Sequence, residues 1–489
     1  MYKLFFFYLL QIGVISNISL AENTYNFIDL GGKSSQYDIK VAINNTKILN
    51  NILNKSSNKR DITIHFPENN TFWFNGGIYG SDISNLTLIV DGSINFIDER
   101  SMWPNDTQSN YKLNLENIFS EYSNVGDVKE CMMFERIEGF NLYSKVSGKK
   151  GIINGNGNKW WGVINYLSYR ENRPRLFHIK NSSNINVKNI LFKDSPYWTF
   201  YADDVINMEV SETDIDARVT ENNYHSLKDL TAFNTDGFDV SGKNIYIHDV
   251  NIWNQDDCIA VKSLDKTDYR AQCSENMLFT RINASGLGLT IGSIGASLNH
   301  SCIRNITFSD SIMPNTFKGI YIKSRPDEGG NRSGEITDIT YKNITIVNST
   351  QWPVWIGPQQ AIYEGACSLL WPFTPFTKCP VPSNINWSNI VLRDINITNP
   401  EYGPGVILGN ESNPINNLVF DNVIVKEEKK EFNIWKKNYI CNGIKEGKVL
   451  GRTNPIPECL DYNILESGNK KNCDVGCYGG RNFLNNIWS

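Results

Sequence analysis

The chain has 489 residues, and 40% of them are hydrophobic, so it is long enough to bury a large core. Its formal net charge is −5, and its lysine and arginine residues are scattered along the sequence. This charge balance argues against nucleic acid or an anionic membrane surface as a partner.

The N-terminus has the pattern of a secretory signal peptide over residues 1–21. Lys3 precedes a short apolar run at 4–15, and small residues ending at Ala21 offer a cleavage site before Glu22. A membrane anchor is the alternative, but this run is shorter than the ~20 apolar residues that a membrane span needs. We therefore predict a secreted, extracellular protein with no membrane segment.

Cysteine and asparagine usage agrees with passage through an oxidising compartment. The ten cysteines are an even number, as full disulfide pairing requires. Asn-x-Ser/Thr sequons for N-glycosylation are frequent, although an asparagine-rich composition also produces them by chance. No cysteine or histidine spacing typical of a metal site occurs. We expect a disulfide-bonded glycoprotein with no metal and no cofactor.

Residues 38–53 have the spacing of an amphipathic helix. Apolar side chains such as Ile39, Ala42 and Leu49 recur at helical intervals within this segment. A helix in front of a strand-rich region can cover the open end of a stack of strands and protect its unpaired edge. We predict an N-terminal capping helix here.

Short β-rich segments then recur along the middle of the chain. Each alternates apolar with polar residues, and most end in Asn, Asp, Gly or Ser. They are residues 185–192, 205–210, 244–252, 303–308, 336–346, 385–392 and 418–425. Neighbouring segments are about 20 to 40 residues apart, the range of coil-type repeats that bury their apolar faces by stacking. The pattern predicts an all-β fold of stacked parallel coils, with a β-sandwich or propeller as the alternative.

The last part of the chain differs in composition. Residues 426–489 are rich in lysine, glutamate and cysteine and contain few long strand patterns. We predict a β-helix catalytic domain over 22–425, followed by a disulfide-tied cap over 426–489. Cys473 and Cys477 suit a small disulfide loop better than a zinc site, because no histidine lies nearby.

Two motifs within the repeats carry acidic side chains. NTDGFD at 234–239 contains Asp236, and NQDDCIAVKS at 254–263 contains Asp256 and Asp257. The motifs begin about 20 residues apart, close to one coil, so equivalent positions should lie about 5 Å apart on one face. Crowded carboxylates raise the pKa of at least one of them, which suits acid–base cleavage of a glycosidic bond. An Asp-rich turn or a Ca²⁺ site is the alternative.

Together the two motifs resemble those of the polygalacturonase family, glycoside hydrolase family 28. The resemblance runs from about residue 25 to 425 and includes the segment YNFIDLGG at 25–32. It implies a single-stranded right-handed parallel β-helix of the pectin lyase-like type, which hydrolyses pectic polysaccharides with inversion. Mapped by motif, Asp256 takes the place of the general acid, and Asp236 and Asp257 take the places of the residues that activate water.

Further residues are assigned by the same resemblance. Asn234 of the first motif is placed in substrate binding. Cys258 and Cys273 resemble the family's disulfide beside the site, and their short spacing would make that bridge easy to close.

Two later motifs depart from the family pattern. Where the family has Gly-His-Gly, this chain reads SGLGLTIGSIG at 285–295, so Leu287 replaces the histidine that is thought to support the acid. Where the family has Arg-Ile-Lys, this chain has Tyr321 and retains Lys323. Strand alternation puts Arg325 on the same face, where it could supply a displaced cation for a sugar carboxylate. Tyr321, Lys323 and Arg325 are therefore predicted to bind substrate, and the alternative is that the lysine and the arginine are ordinary surface residues.

The remaining histidines and the tryptophans give weaker indications. His225 and the other histidines lack a motif context, so a structural role is favoured for each. Trp160, Trp161, Tyr197 and Trp198 could line a sugar cleft, although core packing is the more common use of such rings.

These observations predict a secreted glycosidase that cleaves α-1,4 galacturonosyl linkages of pectin or a related acidic polysaccharide. We expect it to act as a monomer, since stacked coils with capped ends need no partner. The alternative is a catalytically impaired β-helix that binds carbohydrate, because Leu287 and Tyr321 replace expected polar residues. A Ca²⁺-dependent lyase would need a metal cage and a strong base, and neither is evident in the sequence.

Overall fold

The computed structural model describes residues 24–54, 60–105, 128–165, 172–264, 270–295, 300–325, 333–360, 367–368, 371, 381–426 and 438–462. The predicted signal peptide, Cys473 and Cys477 lie outside these residues. Within them, no helix is long and apolar enough to cross a membrane.

An N-terminal α-helix and a long series of strands make up most of the described part of the chain. The helix is α1 (Ile39–Asn54), and the strands before the acidic motifs are β1 (Thr24–Asn26), β2 (Arg60–Phe66), β3 (Thr71–Phe74), β4 (Ile78–Val90), β5 (Ser93–Phe96), β6 (Met132–Tyr143), β7 (Gly151–Asn154), β8 (Phe177–Lys180), β9 (Ser183–Lys188), β10 (Ile190–Lys193), β11 (Phe200–Ser211) and β12 (Asp214–Asp216). Short 3₁₀ turns lie at Arg100–Met102, Gly157–Lys159 and Asp229–Ala232.

The acidic motifs and the rest of the stack follow on further strands. These are β13 (Phe238–Trp253), β14 (Asp257–Val261), β15 (Ser274–Ser285), β16 (Gly288–Ile294), β17 (Ser301–Pro314), β18 (Ile320–Ser324), β19 (Gly334–Val347), β20 (Val354–Pro358), β21 (Ile385–Thr398), β22 (Val406–Leu408), β23 (Ile415–Lys426), β24 (Ile440–Asn442), β25 (Ile444–Lys445), β26 (Lys448–Leu450) and β27 (Asp461–Tyr462).

Successive coils pair in parallel, so the prediction of an all-β right-handed parallel β-helix is confirmed. One face is built from β13, β15, β17, β19, β21 and β23, each in register with the next. A second face runs through β11, β13, β14, β16, β18, β20 and β22. A β-sandwich built from hairpins would require antiparallel neighbours, which these ladders are not.

Inward side chains form continuous apolar stacks along the helix axis. Phe279, Phe308 and Tyr341 occupy equivalent positions on three successive coils and are buried. Their ring centroids are 4.6 and 4.9 Å apart in stacked pairs. Each ring fills the space between its neighbours, so the core is stabilised chiefly by contacts between adjacent coils.

Asparagines turn the chain at one corner of the coils. Asn244, Asn276 and Asn305 all have positive φ, between 54 and 59°, a conformation that Asn tolerates better than most residues. The Asn276 amide donates to Asn244 Oδ1 at 3.3 Å, and the Asn305 amide donates to Asn276 Oδ1 at 2.8 Å. The corner is therefore stabilised by a ladder of side-chain hydrogen bonds.

The ends of the stack are covered differently. Helix α1 begins where Asp38 accepts hydrogen bonds from two backbone N–H groups, and it buries Ala42, Leu49 and Leu53 against the first coils. This confirms the predicted N-terminal helix. At the other end, strands as far as Tyr462 still pair with the stack, and Cys441 forms a disulfide with Cys459. The boundary at residue 425 remains a prediction.

Candidate active site

The two acidic motifs lie on adjacent coils of the second face. Gly237 N–H donates to Asp257 O at 2.8 Å, which sets Asp236 beside Asp257. A Cβ at position 237 would lie 2.2 Å from the backbone oxygen of Cys258, so glycine is needed for this close approach. The amide of Asn254 ties the turns together by donating to the backbone oxygens of Thr235 and Asp257, each at 2.9 Å.

This packing brings together the three aspartates that the motifs single out. One carboxylate oxygen from each of Asp236, Asp256 and Asp257 lies within 4.8 Å of the others. Asp236 is 4% exposed and Asp257 is 1% exposed, whereas Asp256 is half-buried. Asp256 is thus the member of the trio that is most open to a substrate.

A fourth carboxylate and a lysine join the trio. Asp239 is the second residue of β13 and is fully buried. The Lys262 ammonium lies 3.1 Å from its Oδ1. Lys262 is also 3.8 Å from Asp236 Oδ2 and 3.9 Å from Asp257 Oδ2. We call Asp236, Asp239, Asp256 and Asp257 the carboxylate cluster. Sequence reasoning missed Lys262, although it lies within the second motif and strand alternation puts it on the outer face.

Asp257 is held by two further groups from later coils. Lys323 Nζ donates to its Oδ2 at 2.7 Å, and the buried hydroxyl of Thr290 donates to its Oδ1 at 2.7 Å. Lys323, predicted to bind substrate, is 7% exposed and is engaged with this carboxylate. The structure therefore places Lys323 inside the cluster rather than at its rim.

The other predicted substrate-binding residues occupy quite different positions. Tyr321 is 1% exposed, and its hydroxyl accepts a hydrogen bond from the backbone N–H of Gln360 at 3.0 Å. Arg325 is exposed just beyond the end of β18. Asn234 is half-buried at the left-handed turn that precedes Asp236.

Lys318 is a second lysine that sequence reasoning did not single out. It is 1% exposed, and its ammonium donates to the Gln351 side chain. The same ammonium lies 5.1 Å from the centre of the Tyr321 ring and 5.9 Å from that of Trp355. Because it lies outside the two acidic motifs, only the register of the coils reveals that it is near them.

Leu287 occupies the position of the family histidine, and His225 is a histidine that lies near the acidic motifs. Leu287 donates its backbone N–H to Asp256 O at 2.6 Å, and its side chain packs on the apolar group that contains Tyr321 and Trp355. His225 does not replace the lost ring. Its nitrogens lie 3.0 Å from Gln255 Oε1 and 3.0 Å from Ser285 Oγ, and burial lowers its pKa to about 4.

Burial and mutual repulsion perturb the acids. Burial, followed by the charges of Asp239 and Asp256, raises the pKa of Asp236 well above its ordinary value. Burial and the neighbouring Asp257 raise the pKa of Asp256 to about 6. Burial, reinforced by Lys323, lowers the pKa of Lys318 to about 7. The cluster therefore retains a proton at a pH where isolated carboxyl groups are ionised.

The same three aspartates have the chemistry of ligands for a hard cation. Lys262 and Lys323 already place ammonium groups against these oxygens, the nearer at 2.7 Å from Asp257. A divalent ion would have to displace or repel both lysines. The arrangement favours proton transfer over metal binding.

The predicted aromatic lining is only partly at the site. Trp160 and Trp161 are 1% and 4% exposed and belong to the main core, so they do not line a cleft. Tyr197 is 6% exposed, whereas Trp198 is half-buried with Lys262 Nζ lying 5.3 Å from its ring centre.

The predicted disulfide between Cys258 and Cys273 is wrong. Cys273 is bonded to Cys302, and Cys258 is a buried free thiol whose Sγ donates to Asn254 Oδ1 at 3.4 Å. The reason is register. The next coil places Cys302 beside Cys273, since Ser274 pairs with Ile303 between β15 and β17.

Comparison with known proteins gives a consistent result. A sequence model of the family described as Glycosyl hydrolases family 28 matches residues 39–447. The chain is 26% identical to endo-xylogalacturonan hydrolase A of Aspergillus tubingensis over 59% of this chain and 61% of that protein. It is 30% identical to endopolygalacturonase I of Aspergillus niger over 42% of this chain and 50% of that protein. These matches span only about half to three-fifths of each relative.

Solved structures agree on the fold. The endo-xylogalacturonan hydrolase of Aspergillus tubingensis superimposes with a TM-score of 0.60 and 20% identity, covering 85% of this chain and 95% of that one. A hyperthermoactive exopolygalacturonase of Thermotoga maritima gives a TM-score of 0.55 and 16% identity, covering 86% and 92%.

Proposed function

Since the chain belongs to glycoside hydrolase family 28, we propose that it cleaves α-1,4 galacturonosyl linkages in pectin or a related acidic polysaccharide. The observation that carries this proposal is the carboxylate cluster, in which three aspartates approach within 4.8 Å on adjacent coils. The relatives named above act on polygalacturonan and xylogalacturonan by their names, which supports a pectic substrate.

The geometry suggests a division of roles among the acids. Asp256 is the half-exposed carboxyl with a pKa raised to about 6, so it suits the general acid that protonates the leaving oxygen. Asp236 and Asp257 are buried beside it and would activate water. Inversion is supported by the family resemblance. The distances between the carboxylates point the other way. They are below 4.8 Å, which is closer to the separation of about 5 to 5.5 Å that is general for retaining enzymes than to the wider separation of inverting enzymes.

Substrate contacts follow from exposure. Arg325 is free of the buried cluster and exposed, so we assign it the carboxylate of a bound sugar. Lys323 would act mainly through Asp257, and Asn234 would order the turn before Asp236. Tyr321 would form the floor of the site, because its hydroxyl is engaged below the surface and its ring lies under Lys323 at 4.4 Å.

Leu287 bears on efficiency more than on the type of reaction. It cannot titrate or donate a side-chain hydrogen bond, yet it leaves the carboxylate cluster assembled. General acid–base groups contribute about 10²- to 10⁴-fold each, so losing one supporting histidine is compatible with slow turnover or a changed substrate. We also propose secretion, from the N-terminal pattern, and a monomeric state.

The test is hydrolysis by purified protein. Polygalacturonate, xylogalacturonan and other pectic polysaccharides would be incubated with wild type, Asp256→Asn and a matched control, Asp338→Asn. Asp338 is exposed and lies in a corner ladder remote from the cluster. We expect reducing ends from wild type and the control but none above background from Asp256→Asn. Equal release by all three proteins on every substrate would refute the glycosidase and favour the carbohydrate-binding alternative.

Stereochemistry needs a separate measurement. Proton NMR of the first products would show which anomer is released. The configuration opposite to that of the substrate supports inversion, and retention would contradict this part of the proposal.

A further inference from the structure

Lys262 stands at the centre of the buried carboxylates. Its ammonium lies within 4 Å of Asp236, Asp239 and Asp257. Among the described residues, Asp256 is not one of the carboxylates within that distance. Lys262 therefore favours the ionised form of Asp236 more strongly than that of Asp256.

The distances to those two candidates are nearly equal. Lys262 Nζ is 3.8 Å from Asp236 Oδ2 and 3.9 Å from Asp257 Oδ2. Its closest partner is Asp239, which is 0% exposed and lies 3.1 Å from the ammonium. The ammonium is therefore almost equally close to both carboxylates.

The remaining charged and aromatic neighbours complete the environment of Lys262. Lys323 faces it from β18 and opposes its charge, while already neutralising Asp257 by a 2.7 Å hydrogen bond. The Trp198 ring, which precedes β11, lies with its centre 5.3 Å from the ammonium, and the Lys262 side chain is 22% exposed. Partial burial of this kind strengthens the electrostatic effect of the lysine.

The charges of the carboxylate cluster and its lysines nearly balance. The cluster has four carboxyl groups, and the lysines that act on it are Lys262, Lys318 and Lys323. Below about pH 7 all three lysines are charged, because even Lys318 has a pKa of about 7. Four carboxylates against three ammonium groups leave one negative charge, and a single bound proton cancels it. A general acid needs one such proton.

We propose that Lys262 is a positioning residue whose ammonium, held among Asp236, Asp239 and Asp257, favours the ionised form of Asp236. This inference rests on the proposed glycosidase function, and it assigns a role to a residue outside the predicted site. Without Lys262 the opposing positive charge would be lost, and Asp236 would ionise only at a higher pH.

The experiment compares pH profiles of kcat/KM for wild type, Lys262→Met, Lys262→Arg and Lys243→Met. Lys243 is the matched control, because it lies on β13, is 43% exposed and pairs with Glu275 outside the cluster. We expect the acidic limb of Lys262→Met to move up by about 1 to 3 pH units, as removal of an adjacent opposite charge predicts. Lys262→Arg and Lys243→Met should keep the wild-type limb.

A second readout separates this inference from the proposed function. Carbon-13 NMR titration of the aspartate carboxyl groups reports their protonation without turnover, and it should show the same upward movement in Lys262→Met. If wild type hydrolyses nothing, the glycosidase proposal fails, and the titration still decides the role of Lys262. Acidic limbs and carboxyl titrations that coincide in wild type and Lys262→Met would overturn the inference.

Discussion

Replacing Asp256 with asparagine should stabilise the fold above neutral pH while it removes activity. Burial and Asp257 raise the pKa of Asp256 from 3.8 to about 6. Ionising this side chain in the folded protein therefore costs more than ionising it in the unfolded chain. Asparagine keeps the Oδ1 atom that accepts the Asp257 N–H at 2.8 Å, so the local hydrogen bond survives the change.

The magnitude follows from linkage between protonation and folding. A group whose pKa is higher in the folded state contributes stability below its unfolded pKa, and this stability is lost as pH rises through the folded pKa. At 1.36 kcal/mol per pH unit, the shift of Asp256 corresponds to about 3 kcal/mol once both states are ionised. Asp256→Asn should thus exceed wild type by about 2 to 3 kcal/mol at pH 8 and by less than about 1 kcal/mol near pH 4.

Urea unfolding at the two pH values measures this difference. The matched variant Asp338→Asn changes an exposed aspartate and should follow wild type at both. If Asp256→Asn is no more stable than wild type at pH 8, or if its gain in stability is as large at pH 4, then burial and Asp257 do not raise the pKa of Asp256.

Three further predictions follow from other features. Cys302→Ser opens a disulfide that closes a loop of 29 residues, which should lower the free energy of unfolding by about 3.5 kcal/mol. Cys258→Ser should lower it by much less. Equal decreases for the two variants in urea unfolding would contradict the corrected disulfide pairing. Activity should fall as pH rises above about 6, because Asp256 then loses the proton it donates, and a rate that keeps rising to pH 8 would exclude it as the acid. Phe308→Ala removes a ring buried between two coils and should cost about 3 to 5 kcal/mol in the same assay, whereas a loss below about 1 kcal/mol would mean the stack collapses to fill the space.

Much of the fold could be predicted from local pattern. Each strand has its own alternation, and each left-handed corner has its own asparagine, such as Asn244 or Asn305. The approach of Asp236 to Asp257 also follows from a motif spacing of one coil. These features depend on residues that are near in sequence or one repeat apart, where periodicity is informative.

What failed to be predicted depends on contacts between more distant coils. Cys273 has Cys258 nearby in sequence, but the register of β15 with β17 gives it Cys302 instead. Lys318 reaches the acids from two coils away, and no motif marks it. Tyr321 is buried because the chain near 360 returns across its hydroxyl, which no pattern around position 321 reveals.

The position of the carboxylate cluster within the stack has a consequence for how the molecule responds to heat. In a quasi-one-dimensional array, each repeat is stabilised by its two neighbours, so melting begins at the termini and advances inward. The strands that hold the cluster, β13 to β18, have eight or more strands on either side. Unfolding of the outer coils therefore leaves the acids assembled. The active site should unfold only after the coils at the two ends have done so.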